Sequence, residues 1–209
     1  RQEKFAVVVS AIGNATDELE DILEKAKKNE VYQIQLENFK KYQQRKCAAD
    51  LKTEFELLEK LFEGVALLGD YSKKIKDNVL AQGEVISGKV VTQALKEKGI
   101  NANFSDTRQL IKTDAKFGNA QPIDVISRKN VQNHFASHNG TTVNVVTGFI
   151  ASSTDGETTT LGRNGSNFTA SLLANYLDAE ELQSFTHVDG IFTANPDLVS
   201  DAKKIDQLS

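Results

Sequence analysis

The sequence predicts an α/β fold in three layers, with helices on both faces of a mostly parallel central sheet and a helical insert. Three observations predict it. Residues 5–10 (FAVVVS) form a short unbroken apolar run, the pattern of a strand buried on both faces of a parallel sheet. Residues 18–98 read as almost wholly helical. After Gly99, runs rich in Val, Ile, Thr and Phe alternate with helical stretches, and such alternation places helices on both sides of parallel strands.

Each element has a local reason. Gly13 ends the first run, and Thr16 or Asp17 has the short oxygen-bearing side chain that caps a helix start. Leu51, Phe55, Leu58, Phe62 and Val65 recur at three- and four-residue steps, giving one apolar stripe with Glu and Lys opposite. This reads as a solvated helical layer, because no heptad pattern is sustained as a coiled coil requires. Cys47 falls mid-helix among charges and does not read as a nucleophile. Residues 100–104 and 142–150 read as strands, and Pro122 and Pro196 each lie beside a strand end. No repeat, linker or low-complexity segment interrupts the chain.

Bulk properties exclude several classes. With 209 residues and 39% hydrophobic content, the chain can bury a core of its own as one domain. A net charge of -4 argues against a nucleic-acid platform, which is normally basic. No apolar run approaches the roughly 20 residues of a membrane span, so neither nucleic acid nor membrane is an expected partner. Cys47 is the single cysteine, so no internal disulfide forms; a reducing, cytoplasmic location is the simple expectation.

Ligands of open α/β sheets bind at the carboxyl ends of strands. Polar, glycine-rich turns fall at such ends in residues 10–17, 148–160, 162–167 and 186–196. In the third, Gly162 and Gly165 permit close approach to the backbone, and Ser166 or Asn167 is suited to cap the following helix. A helix N-terminus favours an anion, and Arg163 can grip a carboxylate or phosphate through paired hydrogen bonds. From spacing alone, a capped turn with Arg163 on the surface fits equally well. The stretch is neither G-x-G-x-x-G nor a Walker A loop. Glu84, in QGEVIS, reads as the start of a long amphipathic helix, where it either favours the dipole or meets a ligand. His187 has no second His or Cys spaced to share a metal with it, and no Ser-His-Asp set is credible.

Together the motifs resemble the catalytic domain of aspartate kinases, within the amino-acid kinase family. "VVVSAIGNATDEL" resembles the family's first glycine turn, and "LLGDYSKKIKDNVLAQGEVISGKVV" ends in its Gly-Glu-x-x-Ser motif. "SDTRQLIKTDAKFGNAQPI" is similar to a stretch characteristic of these enzymes, "TGFIASSTDGETTTLGRNGSNFTASLLA" to their signature loop, and "THVDGIFTANPDLVSDAKKI" to their nucleotide loop. The Arg-Asn-Gly-Ser form resembles the bifunctional branch, in which a homoserine dehydrogenase follows. The resemblance implies the amino-acid kinase fold and transfer of the ATP γ-phosphate, with Mg²⁺, to the side-chain carboxylate of L-aspartate, the entry step to lysine, threonine and methionine. It implies that Thr16, Glu84, Arg163 and Ser166 bind aspartate, Glu84 through the ammonium and Arg163 through a carboxylate. It places Thr186, His187 and Phe192 on the nucleotide side.

Several positions depart from the family pattern. His187 stands where aspartate is usual, Phe192 where tyrosine is, and Asn195 and Asn167 at frequent aspartate positions. Asp197 reverses the charge of a frequent arginine. The family's Lys-Phe-Gly-Gly strand, whose lysine neutralises phosphates, would precede Arg1, and its regulatory domains and any dehydrogenase would follow Ser209. The resemblance therefore implies that 1–209 is a kinase catalytic domain truncated at both ends, with its helical insert at 18–80 and little turnover of its own. The catalytic phosphate-binding lysine is expected upstream of Arg1. A monomer or a weak homodimer is the expected assembly. Two other readings stay open: another amino-acid kinase, acting on glutamate, acetylglutamate or carbamate, and a non-catalytic binding module of the same fold.

Overall fold

A computed structural model describes residues 6–45, 47–136, 142–186, 190–194 and 198–205. The first strand, β1 (Ala6–Val9), runs into a turn and then helices α1 (Ala15–Lys27), α2 (Gln33–Gln44), α3 (Lys52–Leu68) and α4 (Lys73–Glu97). The second half alternates: β2 (Ala102–Ser105), α5 (Thr107–Leu110), β3 (Lys112–Thr113), α6 (Asp124–Ala136), β4 (Val143–Thr147), β5 (Ile150–Ser153), β6 (Thr158–Thr160) and α7 (Gly165–Tyr176). A short ribbon of β7 (Ile191–Phe192) and β8 (Lys204–Ile205) ends the described chain.

The described strands form one sheet of order β1-β4-β2 and a second of order β3-β5-β6. β4 pairs in parallel with both β1 and β2, and β3 with β5; only the β5–β6 hairpin is antiparallel within these two sheets. The sheet is thus mostly parallel, as α/β alternation requires. On one face, Val146 and Ala151 pack with Val131 of α6 and Leu173 and Tyr176 of α7. On the other, Ala81 and Val85 of α4 pack with Ile150 and Phe104. Beyond α4, helices α1 to α3 add a further layer around Leu19, Leu23, Leu58 and Phe62, all fully buried. Along the apolar stripe, Leu51 at the N-cap of α3 and Leu58, Phe62 and Val65 within it are buried, and Phe55 is half-buried against them.

Several local expectations are corrected. β1 is not buried on both faces: Val7 is exposed, and among the described strands β1 pairs only with β4, at a sheet edge. The run 142–150 is two strands, not one, because Phe149 turns the chain with a positive φ of 64°. Cys47 lies in a bend between α2 and α3, not within a helix, and its thiol reaches the Val90 carbonyl at 3.4 Å. The N-caps are Asn14 and Asn164, so Thr16, Asp17, Ser166 and Asn167 fall within first turns and do not cap. No helix among the described residues is long and apolar enough to cross a membrane.

Candidate functional site

The site begins where β1 and β4 end. Residues 10–14 leave β1 and enter α1; residues 148–149 leave β4; residues 162–164 leave β6 and enter α7. Close packing draws these turns together. A methyl group on Gly148 would lie 2.6 Å from Ser166 Cβ, and one on Gly165 would lie 2.6 Å from the Phe149 ring. Only hydrogen at both positions lets the start of α7 rest directly on the turn after β4. The Phe149 N–H donates to the Thr169 hydroxyl at 3.1 Å, and Leu161 N–H donates to the Phe149 carbonyl at 2.9 Å. These bonds hold Phe149 in its left-handed backbone conformation, which a non-glycine residue adopts only under such support.

The turns enclose a cavity of about 430 Å³. Its walls come from Ser10, Gly13, Asn14, Thr16 and Asp17 on one side, the loop 162–167 on the other, and Phe149 and Glu84 between them. The structure therefore brings Thr16, Glu84, Arg163 and Ser166 together around one space, although they are up to 150 positions apart in the chain. Thr186 and Phe192 do not line it; Thr186 is exposed, and Phe192 sits in β7 opposite Lys204. His187, Asn195 and Asp197 lie outside the described residues.

Glu84 is the unusual group. It lies in the middle of α4, not at a helix start, because α4 continues for eleven residues before it. At that depth the helix is packed on every side: residues 79–88 are all buried, and the carboxyl with them. Glu84 is 3% exposed, and its Oε2 has no hydrogen-bond partner among the described residues. Burial raises its pKa from the ordinary 4.5 to about 8, with the Ala11 N–H pulling the other way. Gly83 explains the approach: a methyl there would meet Ala11 Cβ at 3.3 Å, so its absence lets α4 press against the turn after β1.

Opposite this carboxyl stand two helix N-termini. Neither Asn14 nor Asn164 caps its helix through its side chain, and Asn164 takes the left-handed conformation with φ of 57°. First-turn residues Thr16 and Asp17 of α1 and Ser166 and Asn167 of α7 line the cavity, with the positive end of each helix dipole behind them. Arg163 is exposed beside them. The arrangement pairs a buried acidic group with an anion-holding rim, which suits a small zwitterion with a further negative charge. The described residues contain no group of three or more His, Cys, Asp or Glu able to hold a metal ion.

Sequence reasoning missed two residues of the cavity wall. Phe149 and Asn14 lay within turns already suspected, but nothing distinguished them there.

Such a cavity, at the carboxyl ends of parallel strands under a helical layer, agrees with the family match. The sequence matches the Amino acid kinase family over residues 1–209, and the chain belongs to that family. Lysine-sensitive aspartokinase 3 of Escherichia coli (strain K12) is 33% identical over 159 residues, covering 74% of this chain and 35% of that protein. Aspartokinase of Chlamydia muridarum is 30% identical over 213 residues, covering 100% of this chain and 47% of that protein. Bifunctional aspartokinase/homoserine dehydrogenase 2 of Zea mays is 28% identical over 221 residues, covering 99% and 24%. Among solved structures, E. coli aspartokinase III in complex with aspartate and ADP, in its R-state, matches with a TM-score of 0.84 at 29% identity, covering 96% of this chain and 46% of that one. The chain thus spans between a quarter and a half of the length of these relatives.

Proposed function

We propose that this chain is the catalytic unit of an aspartate kinase, which phosphorylates the side-chain carboxylate of L-aspartate from ATP. The observation that carries the reading is the buried, half-unpartnered Glu84 facing two helix N-termini and Arg163 across one cavity. An amino acid with a second carboxylate offers the complementary charges. Glu84 takes the ammonium group. Arg163, Ser166 and the first-turn amides of α7 hold a carboxylate, and Thr16 with the amides of α1 offers donors to the same ligand. The names of the relatives, and the aspartate and ADP held by one of them, support the choice of substrates.

The chemistry needs positioning and charge, with no covalent intermediate on the protein. A side-chain carboxylate oxygen bonds to the γ-phosphorus while the bond to the β–γ bridging oxygen breaks, giving ADP and 4-phospho-L-aspartate. The helix N-termini supply fixed positive potential where negative charge gathers. Mg²⁺ carried by the nucleotide would add positive charge at the transferring phosphate. Thr186, His187 and Phe192 are assigned to the nucleotide side, and a cytoplasmic place at the start of lysine and threonine synthesis follows from the same reading.

The test is to give the protein Mg-ATP and L-aspartate and trap acyl phosphate with hydroxylamine, with L-glutamate and N-acetylglutamate in parallel. Calorimetry should follow binding of each acid. Hydroxamate from aspartate alone supports the reading. Hydroxamate from another acid instead, or tighter binding of that acid than of aspartate, overturns it. Aspartate that binds without any hydroxamate, in the full-length protein as well as in residues 1–209, makes the chain a binding module.

A further inference from the structure

Seven residues before Glu84, the same face of α4 carries a second buried carboxylate. Asp77 is 1% exposed. Two turns of helix separate the two groups, roughly 10 Å along the axis. The hydrogen bonds of Asp77 reach distant parts of the chain. Its Oδ2 accepts from the Gly118 N–H at 2.9 Å and from the Thr160 N–H at 3.0 Å, and its Oδ1 accepts the Thr160 hydroxyl at 2.9 Å. Burial pushes its pKa up, and these donors offset part of that.

The segments Asp77 holds are those that carry the anion-holding loop. Thr160 ends β6, and Gly162 and Arg163 follow two and three residues later. The Ala120 N–H donates to the Thr160 carbonyl at 2.9 Å, locking the loop 114–122 onto the same residue. Asn119 then presses on Gly162: a methyl on Gly162 would lie 2.5 Å from the Asn119 Oδ1. One carboxylate therefore fixes β6 and the loop 114–122 to the helix that bears Glu84. A buried carboxylate met only by two amides and a hydroxyl is a costly way to fill space, since a well-packed apolar residue carries no desolvation penalty. What it supplies is geometry, by pinning the Gly118 N–H and the buried Thr160 N–H to one point on α4.

We infer that Asp77 is a positioning residue that fixes the distance between the Arg163 loop and Glu84, and thereby selects the length of the acid that fits between them. The inference rests on the aspartate reading only for the identity of that acid. Its specificity follows from the ruler: Glu84 and Asp77 share one rigid helix, so the loop tied to Asp77 is held at a set reach from Glu84.

The experiment compares the wild type with Asp77→Ala and Asp77→Asn in the full chain. With its amide turned, Asn presents its carbonyl to the two N–H groups and its NH₂ to the Thr160 hydroxyl, which can accept. Asn should therefore restore what Ala loses. In Asp77→Ala, hydrogen exchange should rise in peptides covering 114–122 and 158–166 and stay unchanged in α1. By calorimetry, the preference of L-aspartate over L-glutamate should fall roughly tenfold, the scale expected of a displaced binding group. That ratio is insensitive to the fraction of folded protein. Asp77→Asn should lie within about threefold of the wild type on the same scale. Should Ala fail to fold, Thr160→Val, which removes only the Oδ1 bond, should shift the ratio in the same direction. An unchanged ratio in Ala, or in Val where Ala does not fold, overturns the inference, and so does a loss that Asn fails to restore. If the wild type binds no acid, the aspartate reading falls, and localised exchange restored by Asn then decides the positioning role alone.

Discussion

Replacing Glu84 by Gln removes a titration that the fold makes expensive. The carboxyl titrates near 4.5 when unfolded and at about 8 in the folded chain. At about 1.4 kcal/mol per pH unit, ionising it in place costs on the order of 5 kcal/mol. The sign follows from proton counting. Between pH 4.5 and about 8 the folded chain keeps a proton on Glu84 that the unfolded chain has released. Stability therefore falls as pH rises through that window, and the contribution levels off above it, where both states are ionised. Glu84→Gln keeps the volume and abolishes the titration. Urea unfolding of both proteins, followed by circular dichroism across that range, should show the variant gaining on the wild type by up to about 5 kcal/mol. A difference that stays flat within about 0.5 kcal/mol would refute the reasoning, since that is the scatter of an ordinary surface substitution. The same titration predicts that binding an amino acid at neutral pH releases close to one proton, because the incoming ammonium stabilises the carboxylate. Calorimetry in buffers of different ionisation enthalpy reads that number directly, and Glu84→Gln should reduce it to near zero.

Arg163→Ala should weaken L-aspartate binding by roughly 30- to 100-fold, the worth of a charge-assisted pair of hydrogen bonds, with thermal stability unchanged; calorimetry and a melting curve check both parts. Gly148→Ala places a methyl 2.6 Å from Ser166 Cβ and 2.8 Å from its Cα, so α7 must shift. The expected cost is about 1–3 kcal/mol by urea unfolding, together with loss of acid binding. Phe62→Ala, in the core between α3 and its neighbours, should cost about 3–5 kcal/mol by urea unfolding while leaving the affinity of the remaining folded protein intact.

The layers were legible because they rest on periodicity. The valines of β1 and the stripe from Leu51 to Val65 announce their structure locally, and the alternation after Gly99 announces the parallel sheet. The caps were not legible for an instructive reason. Thr16, Asp17 and Ser166 are the residue types that ordinarily cap helices, yet both helices are entered two or three residues earlier, at asparagines whose side chains make no capping bond. Glu84 was misplaced because α4 has polar residues at its start and is buried all round near its middle, so its pattern does not reveal how far back it reaches. The break at Phe149 hides in a strand-like run, since a positive φ at phenylalanine has no sequence signature. Asp77 was invisible because its partners lie 41 and 83 residues away, and only the fold brings them together.

The length of α4 turns it into a lever. At 25 residues it measures roughly 37 Å, and Glu84 sits about 20 Å from its far end at Glu97. A swing of about 5° around that end would carry the carboxyl some 1.7 Å across the cavity, a displacement able to change a reaction rate by two orders of magnitude. Helices α1 to α3 bear on the same rod away from the sheet. Pressure applied to that outer layer is thus geared, through a single stiff element, to the most sensitive atoms in the molecule.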